Sequence, residues 1–188
     1  MQQTMKLASR LGIGAARVPR QVQRGASLLE AIAYLGIAAI VVIGAVVLLN
    51  NAFNSESTNE LAQQVSALQT GVKKLYLGQT GGYASVTTPI VYNAGVFPSN
   101  TTNDGKGNVT DSWGGAVLIA PSASTNTQFT ISYATVPQAV CVNAVSASGN
   151  WVSISINGNV TTTVPVDPKT ASSECTSGST NTIVWTSS

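Results

Sequence analysis

Residues 24–49 read RGASLLEAIAYLGIAAIVVIGAVVLL, and this stretch decides the architecture. No charged residue occurs between Glu30 and the end of the stretch at Leu49. That length matches the roughly 20 apolar residues, at about 1.5 Å each, that cross a hydrocarbon core of about 30 Å. A lone carboxylate at the edge of such a segment is expensive and calls for a definite partner. Upstream, residues 1–25 hold Lys6, Arg10, Arg17, Arg20 and Arg24, no acid, and no apolar run of the length a secretory signal needs before its cleavage site. Cutting at Gly25 on the cytoplasmic face removes the basic part and leaves the apolar helix in the product, the reverse of ordinary signal-peptide processing. The alternative is a plain membrane anchor whose basic flank stays inside.

The block Gly25-Ala26-Ser27-Leu28-Leu29-Glu30, followed by the apolar helix, resembles the processing site of type IV prepilins. The resemblance implies a prepilin peptidase that cleaves after Gly25 and methylates the amino group of Ala26, with Glu30 as the fifth mature residue and the one that directs filament assembly. The long leader and the Ala26 start resemble the type IVb branch. Gly36, Gly44 and the string Leu75-Tyr76-Leu77-Gly78-Gln79-Thr80 are also similar to type IVb pilins, including bundle-forming and conjugative thin-pilus pilins. So is Asp111-Ser112-Trp113-Gly114-Gly115, which resembles the start of the first sheet strand there and reads as an aromatic anchor with glycines for a bend. The implied fold is α+β: a long N-terminal helix, transmembrane in its first half, packed on an antiparallel sheet, with a C-terminal region bounded by a disulfide.

Past the bilayer segment the helix is expected to continue. Leu61, Val65, Leu68, Val72 and Leu75 recur at steps of four and three, with Glu60, Gln63, Gln64 and Lys73 between them. No proline interrupts residues 26–77, and Gly78 is a natural terminator. Only about two heptads are present, fewer than a coiled coil requires. Residues 79–112, rich in Gly, Thr, Asn and Pro, read as a long loop. Strands are expected at 115–120, 127–134, 151–157, 160–164 and 182–186, with a tight hairpin at Asn157-Gly158-Asn159 and a short helix at 137–148 after Pro137. The sheet laid on the helix stripe supplies the core that neither builds alone. The resulting organisation is a leader at 1–25, a transmembrane and filament-core helix at 26–51, and a globular head at 52–188.

Charge divides along the same lines. The net +2 consists of +5 in residues 1–25 and −3 in the remainder. A mildly acidic product with only Lys73-Lys74 adjacent lacks the clustered cations that neutralise phosphates, so no specific nucleic acid is expected as a partner. That lysine pair instead complements the negative end of the helix dipole.

Cys141 and Cys175, the chain's two cysteines, both lie in the part that is exported, where a disulfide is the economical reading. Two reduced thiols in a cytosolic protein is the alternative. Closing a loop of about 35 residues stabilises by roughly 3–4 kcal/mol in the chain-entropy model. Without histidine, the common general base and the Ser-His-Asp arrangement are absent, and the carboxylates are scattered singly, so no enzymatic activity and no cofactor is expected. The string at 103–111 places oxygens at alternate positions but lacks the terminal glutamate and spacing of a calcium loop, and it reads as a solvated turn with no metal. Asn-x-Thr triplets at Asn100, Asn108 and Asn159 are expected by chance in this composition.

In the expected pathway the precursor sits in the inner membrane with its leader in the cytoplasm, is cut, and is built by an assembly machinery into an extracellular homopolymer that meets a host or recipient cell. The Glu30 carboxylate then pairs with the amino terminus of a neighbouring copy, because an unpaired buried charge penalises a wrong stagger. Gly36 and Gly44 permit close helix approach or local stretching. Alternatives sharing the amino-terminal half are a minor pilin, a tip adhesin or a type II secretion pseudopilin; one of another class is a binding protein held by a single membrane helix.

Overall fold

The computed structural model describes residues 27–178 and 180–188, so Gly25 and Ala26, the expected processing site, lie outside the described residues. The chain separates into two compact units, Met1–Gly44 and Ala45–Ser188. Helix α1, Leu28–Tyr76, contributes to both.

In the first unit, residues 28–44 are one helical run. Ser27 starts it: its hydroxyl accepts from the Glu30 backbone N–H at 3.2 Å, and its carbonyl accepts from the Ala31 N–H at 3.0 Å, which satisfies donors that a helix start leaves open. A carboxylate in the first turn, Glu30, complements the positive end of the dipole.

The second unit is built on the C-terminal part of α1. Its buried residues are Leu61, Gln64, Val65, Leu68 and Val72, so the apolar stripe lies where its spacing predicts, with two differences. Gln64, a polar residue expected between stripe positions, is buried, and Leu75 is exposed at the stripe's edge. Lys73 and Lys74 occupy the last turn, and Gly78 follows with φ +81°, the left-handed conformation that ends helices at little cost for glycine.

The region read as an unstructured loop holds more order than its composition suggests. It contains α2, Thr88–Asn93, with a proline in its first turn, and two short strands, β1, Thr102–Asn103, and β2, Val109–Thr110. Then come β3, Ala116–Pro121, β4, Phe129–Val136, α3, Gln138–Ser146, β5, Ser153–Ile156, β6, Asn159–Thr161, α4, Pro168–Glu174, and β7, Asn181–Ser187. Helix α4 was not expected from the sequence. Asp167 caps it, accepting from the Lys169 and Thr170 N–H groups, and Pro168 fits its first turn.

The seven strands form one antiparallel sheet in the order β1-β2-β3-β4-β7-β5-β6. Strand β7 is thus inserted between β4 and β5. Its buried positions alternate with partly exposed ones, as a strand covered on one face requires. Rows of side chains cross the buried face through the register: Val117, Tyr133, Ile183 and Ile156 form one, and Ile119, Ile131, Trp185 and Ile154 the next. These pack with Leu61, Val65, Leu68 and Val72 of α1 in a single core. Asn157 and Gly158, both at positive φ, make the two-residue turn between β5 and β6.

Candidate functional site

Two features of the chain can do work beyond holding the fold. The first is the apolar run of α1. Every large hydrophobic side chain from Leu28 to Leu49 is exposed, by 54–81 % of its surface. A continuous apolar surface on this scale requires a partner surface or a bilayer. Glu30 is the one ionisable carboxylate in this run, and its Oε1 accepts from the Tyr34 hydroxyl one turn on, at 3.4 Å. At Gly36 and Gly44 an added Cβ meets nothing within 4 Å, so neither glycine is required by its own fold. Both leave a shallow spot where another helix can approach closely.

The second is the region closed by the bond between Cys141 and Cys175, whose Cα atoms stand 6.0 Å apart. The bridge ties α3 to the end of α4. Asn181, bonded to Thr176 next to Cys175, is fully buried, with every polar atom of its side chain satisfied. Its Nδ2 donates to the carbonyls of Val136 and Thr176, both at 3.0 Å. Its Oδ1 accepts from the Thr176 N–H at 2.8 Å, the Thr176 hydroxyl at 3.1 Å and the Asn157 Nδ2 at 3.0 Å. Asn157 in turn donates to the Glu174 carbonyl at 2.8 Å and accepts from the Thr182 N–H at 2.9 Å. The covalent link and this network together hold one outer segment on the sheet. Neither asparagine stands out in the sequence as anything but a turn residue.

The string Asp111-Ser112-Trp113-Gly114-Gly115 resolves into a built corner. Asp111 Oδ1 accepts from the N–H groups of Trp113 at 2.9 Å and Gly115 at 2.7 Å, Gly114 takes φ +80°, and Trp113 packs partly buried on the core. A side chain at Gly115 would collide with the Ala134 carbonyl and the Thr135 hydroxyl. Asp111 is only 5 % exposed and its Oδ2 has no partner, so burial pushes its pKa above the usual carboxylate value, against the lowering effect of those two N–H bonds. Nearby, burial and then the charges of Asp111 and Glu60 push the Tyr133 hydroxyl far up, which keeps it a hydrogen-bond donor at any physiological pH.

The turn at 103–108 uses its own acid. Asp104 accepts from the Asn108 side chain and the N–H groups of Lys106 and Asn108, and these bonds, the Asn108 side chain first, hold its pKa low. Among the described residues no group of three or more His, Cys, Asp or Glu side chains converges as a metal site would require.

Comparison with known proteins finds relatives of the chain as a whole. A family described as PilS N terminal matches residues 55–188. The major structural subunit of bundle-forming pilus from Escherichia coli O111:H- is 27% identical over 150 residues, covering 76% of this chain and 77% of that protein. The same subunit from Escherichia coli O127:H6 (strain E2348/69 / EPEC) matches equally well. A crystal structure of a type IV b pilin from Salmonella typhi superposes with a TM-score of 0.54 at 31% identity, covering 65% of this chain and 96% of that one. TcpA, a type IV pilin from Vibrio cholerae El Tor biotype, shares the fold with a TM-score of 0.51 at 15% identity, covering 71% of this chain and 99% of that one.

Proposed function

This chain belongs to the PilS family and is a type IVb pilin, and from that premise we propose that it is the major structural subunit of an extracellular pilus, made as a membrane-anchored precursor and polymerised through its amino-terminal helix. The observation that carries the reading is the uncovered apolar surface of residues 28–49 with a single carboxylate, Glu30, in its first turn. A bilayer covers that surface before assembly, and the helices of other copies cover it afterwards. Prepilin peptidase cuts after Gly25, methylates Ala26, and hands the subunit to an inner-membrane assembly machinery. The new amino group pairs with Glu30 of a neighbour, and that pairing selects the stagger. The work is structural and not catalytic. The disulfide-bounded segment, Cys141 to Cys175, faces outward in the filament and is the part that meets a host or recipient cell in adhesion, aggregation or conjugation.

Electron microscopy of material sheared from the native cells, with its dominant protein sequenced from the first residue, tests this. Fibres whose subunit starts at Ala26 are expected. A polypeptide that still starts at Met1, or sheared material without fibres of this protein, overturns the reading.

A further inference from the structure

One ridge of α1 within the second unit is electrically polarised. Glu56, Asn59, Gln63, Ala67, Thr70 and Lys74 are all exposed there. Glu56 and Lys74 stand on the same line of the helix, about five turns or roughly 27 Å apart. Between Glu60 and Lys73 the helix carries no charge at all. Each end of the ridge borders an open groove. The first is lined by Glu56, Asn59, Glu60, Gln63 and Asn100, and the second by Lys74, Leu75, Gly71 and Val96 with its neighbours. The two carboxylates differ in freedom. Glu60 Oε1 already accepts from the side chains of Gln64, Asn100 and Ser112. Glu56 has no such bond among the described residues, yet sits one turn before Glu60, where like charges repel.

We propose that this ridge is a contact between copies of the chain, in which Glu56 of one copy meets Lys74 of a second, parallel copy displaced by about five helical turns. The inference rests on the filament reading above. Side by side without displacement, parallel copies set carboxylate against carboxylate and ammonium against ammonium. The displaced arrangement removes both repulsions and makes an attraction. The joined pair then still offers one free Lys74, on the first copy, and one free Glu56, on the second, so the contact is heterologous and propagates without closing. At physiological salt, charges are screened beyond about 8 Å, so the ridge favours that displacement only at contact range.

The test compares sheared filament with total cellular subunit in native cells lacking the wild-type gene and carrying Glu56→Lys, Lys74→Glu or both. An exposed pair turned into a repulsion shifts association by about 1 kcal/mol, or roughly fivefold. Each single reversal is therefore expected to lower the sheared fraction about fivefold, and the double reversal to restore it. Equal total subunit with an intact Cys141–Cys175 bridge on a non-reducing gel shows that each variant has folded; where a reversal fails this check, Glu56→Gln and Lys74→Gln replace it with a smaller loss expected. Normal filament from the single variants overturns the inference. So does a loss that the double variant fails to restore, which assigns the ridge to a different protein. Absence of fibres from wild-type cells overturns the filament reading itself.

Discussion

The hydroxyl of Tyr133, buried in β4, donates to Gln64 Oε1 on α1 at 3.1 Å across the core. Tyr133→Phe leaves that oxygen buried and unpaired, at a cost of about 1–3 kcal/mol. For a protein of this size the melting temperature should fall by roughly 2–4 °C per kcal/mol. Thermal unfolding of the detergent-solubilised protein by circular dichroism checks it. Adding Gln64→Leu, which removes the stranded acceptor, should recover part of the loss. Equal melting of wild type and Tyr133→Phe would show that the bond contributes nothing.

Asp111 gives the head an acid-favoured component. Its folded pKa lies above its unfolded one, so the folded state holds the proton more tightly. The stability this group contributes is fully present below the ordinary value of 3.8 and lost as pH rises through the folded value. Relative to Asp111→Asn, which does not titrate, the wild type should therefore gain melting temperature as pH falls from about 7 to below the ordinary value of 3.8. A constant difference between the two across that range contradicts the assignment.

Removing the bridge with Cys141→Ser and Cys175→Ser together should cost about 3–4 kcal/mol, because the loop it closes spans 34 residues in sequence. The melting temperature should drop by about 10 °C, and dithiothreitol should do the same to the wild type. Protease digestion of intact cells would show where the loss falls, with cleavage expected first between α3 and α4.

Gly71 is required by Val96, whose side chain occupies the place of a Cβ at that position. Gly71→Ala should destabilise by about 1–3 kcal/mol through overpacking, although alanine is the better helix former. Gly71→Ala with Val96→Ala should recover most of that in the same melting experiment.

Glu30→Ala should leave the protein folded, cleaved after Gly25 and present in the membrane, but absent from sheared fibres. Mass spectrometry of the membrane-bound subunit and microscopy of the sheared fraction separate processing from assembly. Normal fibres from this variant rule out the pairing role.

The elements that the sequence makes legible are those with a long repeat or a strong local turn. Helix α1 shows because its stripe is periodic and Gly78 ends it, and the β5–β6 hairpin shows because Asn157-Gly158 suits positive φ at both positions. Helix α2 was hidden, since six residues give less than two turns and no period to read. Helix α4 had a signal, Asp167 followed by Pro168, but one cap without an apolar stripe behind it is easily read as a loop. Gln64 and Asn181 look like surface residues until Tyr133 and Asn157 reach them from distant parts of the chain. Glu30 was legible as a charge in the wrong place, and the corner at 111–115 as a bend, but the unpartnered oxygen of Asp111 follows only from how tightly that corner is packed.

The placement of β7 has a consequence for biogenesis. Without residues 181–187, β1 to β4 and β5 with β6 are two separate ribbons, because β7 alone pairs with both β4 and β5. On the proposed export route the head therefore stays vulnerable to digestion until β7 has emerged, and only then does the sheet zip shut.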